Sequence, residues 1–237
     1  MSEPVLLERR GAVAIVRLNR PERRNALDSA ALALLDQMLT ALAADDTLGA
    51  LVVSTTDPAA LCAGADVSEH LDHDAGLARM VAFTRLYSWL DEFPAPLVAV
   101  CVGNCVGAGA EIVAGADLRV GGDNLKLAWA GARLGVPIGP ARLAPLIGVA
   151  AAKDLVLTGR AIGTEEAQAL GLLQRVAPAA EAEALAIEVA QQLAGQPGAR
   201  HLKQMFRELD GTAARVAYEN AALLHFQEHG AGIPRLR

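Results

Sequence analysis

Glu111 is the only formally charged side chain between Glu92 and Asp117, within a stretch from Phe93 to Ala116 otherwise fit for a protein core. An ionised carboxylate taken from water into such surroundings is costly unless paired, so its pKa rises toward neutrality. A carboxyl placed this way is a candidate general acid or base. The alternative is a glutamate that caps or braces a buried helix end. The residues around it sharpen the first reading. The valine-rich run Pro96–Val102 predicts a strand buried on both faces, and residues 103–109, with three glycines, predict a turn. Ala110-Glu-Ile-Val-Ala then opens a short helix. The first amides of such a helix have no partner within it, and the macrodipole adds positive potential there. Negative charge developing on a ligand is stabilised at such a place.

A second turn has the same character. Leu61-Cys-Ala-Gly-Ala-Asp-Val67 follows a strand ending at Ser54, and Gly64 allows a sharp bend that frees the amides around Ala65 to point outward. Alone this is an ordinary glycine turn. Two such turns, each after a buried parallel strand, can aim one amide apiece at a single carbonyl oxygen, which is an oxyanion hole.

The elements that must position these turns are legible from periodicity. Val5 to Leu18 predicts a hairpin turning near Arg10-Gly11, and Asp28-Ser29 an N-cap for a helix over 30–43. A strand is expected over 48–54, a helix over 76–90, and two short strands over 118–122 and 125–129. This alternation implies parallel strands with helical crossovers. From Pro140 the pattern is helical, over 141–148, 150–158, 164–170, 180–195, 198–209 and 211–228, interrupted by an apolar stretch at 172–177. The expected division is an α/β core over 1–140 and a helical C-terminal part over 141–237, packed on that core or on neighbouring subunits.

Composition bounds the function classes. The 237 residues are 53% hydrophobic with only 3% aromatics, so alanine, leucine and valine fill the core, and the mean hydropathy is +0.29. A net charge of −6 with no block of basic residues argues against nucleic acid. The uncharged run Phe93–Ala110 reaches membrane-spanning length, but its prolines, glycines and Asn104 speak against a transmembrane helix. The N-terminal residues carry no apolar core of signal-peptide type, so a cytoplasmic location is expected. Cys62, Cys101 and Cys105 lack metal-ligand or CxxC spacing and read as small apolar fillers, and no metal is expected. The turn at 103–109 lacks the order of a dinucleotide-binding loop.

Taken together, Leu18-Asn-Arg-Pro-Glu-Arg-Arg-Asn-Ala-Leu27, Cys62-Ala-Gly-Ala-Asp66, Gly107-Ala-Gly-Ala-Glu111, Asp117-Leu-Arg119 and Gly135-Val-Pro-Ile-Gly139 resemble the enoyl-CoA hydratase/isomerase (crotonase) family. The segment Leu157–Val176 resembles the family's link into its C-terminal helices, so the likeness spans nearly the whole chain. It implies a ClpP/crotonase-type α/β core and an acyl-CoA thioester as substrate in fatty acid or other lipid metabolism. Coenzyme A is then part of the substrate, with no separate cofactor. The oxyanion hole is implied at the amides of Ala65 and Ala108, with Glu111 as the catalytic carboxyl. Substrate contacts are implied at Arg23, Arg24, Ala26, Ala63, Gly64, Asp66, Val67, Ser68, Gly107, Gly131 and Leu134, and the assembly as a homotrimer or homohexamer.

Two departures qualify this. Family hydratases carry a second glutamate ahead of the Gly-x-Pro-x-Gly element, and here that position is Gly131. Nearby Arg133 cannot act as a base. Hydration of crotonyl-CoA is therefore expected to be slow, Gly131→Glu to return part of the rate, and Asp66, Glu69, Asp72 or Asp74 to be the carboxylates available to stand in. Small residues at Ala128, Ala130 and Gly131 predict space beside the thioester. Single-base reactions (isomerisation, decarboxylation, thioester hydrolysis) and a non-catalytic acyl-CoA-binding homologue are the alternatives. The second departure is the tail, His225 to Arg237, which is short beside the family's basic, proline-containing one.

Overall fold

In the computed structural model, which describes residues 3–230 and 232–233, the chain opens with the expected hairpin. Its strands β1 (Val5–Arg10) and β2 (Val13–Leu18) pair antiparallel from Val5↔Leu18 to Arg10↔Val13. Helix α1 (Ser29–Ala43) starts at Asp28, whose side chain accepts from Ala31 N–H and satisfies an otherwise orphaned donor. Strands β3 (Ala50–Thr55) and β4 (Ala60–Cys62) follow, then α2 (His73–Glu92), capped in the same way by Asp72. Next come β5 (Leu97–Cys101), β6 (Asn104–Val106), α3 (Ala108–Gly115), β7 (Leu118–Gly122) and β8 (Lys126–Ala128). The remainder holds α4 (Pro140–Ile147), α5 (Val149–Thr158), α6 (Thr164–Ala169), β9 (Arg175–Ala177), α7 (Ala182–Ala194), α8 (Ala199–Asp210) and α9 (Thr212–His229).

The main sheet runs β1-β2-β3-β5-β7-β9, and all its pairs except β1–β2 are parallel. Successive side chains of a strand point to opposite faces, and here both faces are apolar. Ala14, Val16, Leu51, Leu97 and Ala99 face the core shared with α1, α2 and α3. Val13, Ile15, Val52, Val98 and Val100 pack against Ala182, Ala186, Ile187 and Ala190 of α7. The expected boundary at residue 140 therefore does not separate sheet from appendage. The apolar stretch at 172–177 yields the sixth strand of the main sheet, and α7 covers one of its faces.

A second sheet, β4-β6-β8, is parallel throughout; β8 falls within the strand expected over 125–129, while the three-residue β4 and β6 are too short to show a period in sequence. The two candidate turns leave the C-terminal ends of β4 and β6, and the segment with Gly131 leaves β8. In open parallel arrangements that edge is where ligands bind. Among the described residues no helix is long and apolar enough to cross a membrane. The tail residues Pro234 to Arg237 lie outside the described residues.

Candidate active site

The two turns press against each other. Gly64 has φ +106° and Gly107 φ +56°, both in the left-handed region that favours glycine. A Cβ at Gly64 would sit 3.1 Å from Val106 O, and one at Gly107 3.8 Å from Gly64 Cα. A Cβ at Gly109 would fall 2.1 Å from Cys62 O, so only glycine lets α3 begin this close to the end of β4. On the first turn, Leu27 N–H donates to Gly64 O and Asp66 N–H to Leu27 O, both at 2.8 Å, which pins the backbone on either side of Ala65. Among the described residues neither the Ala65 amide nor the Ala108 amide donates to a protein acceptor. Ala108 opens α3, where no acceptor exists within the helix.

Glu111 is fully buried, and each of its oxygens is engaged. Trp129 Nε1–H donates to Oε1 at 2.8 Å and Arg142 Nη1–H to Oε2 at 2.8 Å. The same Arg142 nitrogen donates to Glu219 Oε1 at 3.0 Å. Glu219 Oε2 in turn accepts the amides of Gly139 (3.0 Å) and Ala141 (2.9 Å) at the start of α4. Arg142 also donates through Nη2 to Tyr87 O and lies 5.0 Å from the centroid of the Tyr87 ring. Its Nε is a buried donor without a partner among the described residues. Burial pushes the Glu111 carboxyl up, against the pull of Arg142 and Trp129. Burial and the neighbouring Glu111 push Glu219 up to about 7, against its two amides and Arg142. Burial likewise raises the Tyr87 phenol, and pushes the Cys62 thiol up to about 12.

Trp129, Arg142 and Glu219 were missed by the reading of the sequence, yet two of them carry the signal that found Glu111. Arg142 is the only formally charged residue between Arg133 and Lys153, and Glu219 the only one between Arg215 and Glu228. A lone charge in an apolar segment seeks a buried counter-charge, and these three lone charges meet one another.

Other expected site residues are placed as follows. Gly64, Ala65 and Gly107 lie together at the paired turns, with Ala63 at the end of β4. Ala26 is half-buried between exposed Arg24 and the Leu27–Ala65 bridge. Arg23 and Arg24 are exposed and enter no ion pair among the described residues. They hang on a loop held by Asn25, whose side-chain amide donates to Thr55 Oγ1 (2.7 Å) and Ala60 O (2.8 Å). Asp66 is buried. Desolvation would raise its carboxyl, but Ser68, through its hydroxyl and amide, and Arg20 outweigh that and hold it below the ordinary range. Val67 is half-buried, while Ser68 and Leu134 are exposed.

The space expected at Gly131 is absent. A Cβ there would lie 2.6 Å from Ile138 Cγ2 and 2.9 Å from Val136 O, because the short loop 135–139 folds back over it. Nor are most of the carboxylates of 66–74 free to stand in. Asp66 is tied to Arg20 and Ser68, Glu69 to Arg79 and the Ser29 amide, and Asp72 caps α2. A cavity of about 620 Å³ lies at the other end of α3, between Ala114–Arg119, α4 and α8. Arg142 forms part of its wall, but neither of the paired glycine turns does, so its size alone does not locate the chemistry.

A family model described as enoyl-CoA hydratase/isomerase matches residues 8–229. The 2,3-dehydroadipyl-CoA hydratase of Escherichia coli (strain K12) is 34% identical over 204 residues, covering 85% of this chain and 77% of that protein. A short-chain-enoyl-CoA hydratase of Clostridium acetobutylicum is 29% identical over 194 residues, covering 80% and 74%. A solved enoyl-CoA hydratase/isomerase from Xanthobacter autotrophicus Py2 superposes with a TM-score of 0.87 over 99% of this chain and 90% of that one. Its identity of 23% makes that likeness one of fold.

Proposed function

The chain belongs to the enoyl-CoA hydratase/isomerase family and has the crotonase-type α/β fold, and from that premise we propose that it binds an acyl-CoA thioester and stabilises its enolate. The observation that carries this is the pair of amides, Ala65 and Ala108, that find no acceptor among the described residues, on adjoining turns, with Glu111 in the first turn of α3. The thioester oxygen accepts both amides, which stabilise it most when it carries the enolate charge. Glu111 takes the α-proton into a new O–H bond while the C–H electrons move to the thioester oxygen. Returning that proton to the γ-carbon of a dienolate shifts the double bond, and returning it to the α-carbon restores the substrate. Each Glu111 oxygen keeps a further lone pair beside its bond to Trp129 or Arg142, so the anchoring does not exhaust its capacity to accept a proton. Since Glu111 has no exposed surface, the side chains over it must give way as the thioester enters.

The relatives' names speak for hydration, whereas Gly131 favours chemistry with one carboxyl. The discriminating experiment is incubation with a panel of enoyl-CoA and β-hydroxyacyl-CoA thioesters in deuterated water, read by mass spectrometry. Deuterium at the α-carbon is expected even without net turnover, and its absence across the panel would reject enolate chemistry.

Hydration of crotonyl-CoA is expected to run about 10²–10⁴-fold slower than in a relative with two carboxylates, the usual worth of one positioned acid or base. Gly131→Glu is now expected to fail as a rescue. The obstacle is space rather than backbone conformation, since Ile138 and Val136 already occupy the Cβ position. The variant should melt lower and stay slow; wild-type-like stability with a recovered rate would contradict this.

The same reading assembles the chain as a trimer or a pair of stacked trimers. Helix α8 buries none of its residues, and it exposes Leu202, Phe206 and Leu209, an apolar stripe that a second copy would cover. Light scattering at micromolar concentration is expected to give a multiple of three; a monomer would refute it. An acyl-CoA-processing role in the cytoplasm without a separate cofactor completes the proposal.

A further inference from the structure

The buried cluster beneath the site holds two carboxyls, Glu111 and Glu219, on one cation, Arg142, with every member at most 5% exposed. Both carboxyls bond the same guanidinium nitrogen. Among the described residues no other formally charged side chain bonds to either carboxyl. Tyr87 of α2, which feels both carboxyls and Arg142, and Cys62 of β4, which acts on Tyr87, are neighbouring titratable groups, and burial keeps both neutral. The partner of Glu111 from β8 is the neutral indole of Trp129. A second full negative charge would thus stand uncompensated in a low-dielectric interior, which costs far more than taking up one proton.

We propose that Glu219, on the C-terminal helix, is a positioning residue for Glu111: held on the same Arg142 nitrogen, the two carboxyls share one proton, and Glu219 thereby decides how readily Glu111 gains or loses it. This rests on Glu111 being the proton-transfer group. The division of the proton follows from the contacts. Glu219 has its charge met by two backbone amides at the start of α4 as well as by Arg142, whereas Glu111 has the indole and Arg142. The shared proton therefore resides mainly on Glu111 at rest, with the Arg142–Glu219 pair carrying the ionic contact, and Glu111 acts as the base only once it has given that proton up. When Glu111 gives its proton up, Arg142 is the cation that receives the new charge. Both carboxyls are pushed upward by burial, in keeping with a pair that titrates as a unit near neutrality. The arrangement also ties α9 to the reaction, since this helix holds Arg142 and the start of α4 in place.

Infrared difference spectroscopy of the intact protein across pH tests the pairing without any substrate. A protonated-carboxyl band is expected to persist into neutral pH, to disappear in Glu111→Gln, and to move in Glu219→Gln. Removing the negative charge beside Arg142 should bring the Glu111 titration down by about one to three pH units. If any thioester exchanges label, the acid limb of the exchange rate should shift down by the same amount in Glu219→Gln, which a merely structural role would not produce. A wild-type protein with no carboxyl titrating near neutrality, or a Glu219→Gln band that stays in place, overturns the proposal. Should Glu219→Gln not fold, the wild-type titration decides alone: two coupled steps support it and a single step refutes it. Failure of label exchange with every thioester would instead reject the enolate reading and leave the infrared result standing.

Discussion

Replacing Glu111 by glutamine is expected to lower the rate of α-proton exchange by about 10²–10⁴-fold while thioester affinity stays within a few-fold. Glutamine keeps the shape but cannot take the proton, so the loss falls on the step and not on binding. The cluster defines what else should change. Arg142 keeps Glu219 as its ionic partner, so no buried cation is stranded. The glutamine carbonyl can accept from Trp129 or from Arg142, and its amide then faces the other donor. One unsatisfied buried donor costs about 1–3 kcal/mol, so the variant should be folded and measurably less stable. Single-turnover exchange and chemical denaturation, measured side by side, separate the two effects. Near-normal exchange in the variant would make Glu111 a brace for α3 and remove the basis of the functional reading.

Arg142→Met should produce the largest loss of stability. Methionine fills much of the space but leaves two carboxyls facing each other without their cation. Breaking a buried ion pair by deleting one partner costs about 3–5 kcal/mol, against a total of about 5–15 kcal/mol for an ordinary domain. The penalty should depend on pH in a stated direction. Without Arg142 both carboxyls retain protons more strongly in the folded state than in the unfolded chain, where a glutamate titrates near about 4.3. A group raised in this way contributes stability that is complete below its unfolded pKa and is lost as pH rises through its folded value. Glu219 already stands at about 7 with the arginine present. The variant should therefore come closest to wild type in mild acid and fall further behind above neutrality. Urea titrations at an acidic and an alkaline pH, compared at constant m, test this. A deficit independent of pH would mean that Arg142 acts by packing on Tyr87 and not through its charge.

The hairpin, the N-cap at Asp28, the valine-rich strands and the helical last third were determined by the sequence, because each depends on residues within a few positions of one another. Glu111 was legible for a related reason: an apolar neighbourhood on both sides of one carboxyl already implies burial. Its partners were not, because they come from β8, α4 and α9, and only chain folding brings Trp129, Arg142 and Glu219 to one point. The three-residue strands β4 and β6 are likewise held by pairing within the small sheet, with too few residues for a period of two to register, whereas β8 falls inside the strand expected over 125–129. Gly131 is the instructive case. From composition, a residue without a side chain reads as room for a ligand. In the fold the loop 135–139 fills that room, since a missing Cβ permits either a hole or a close contact. Which of the two occurs depends on what the rest of the chain brings alongside, and that is decided by tertiary packing alone.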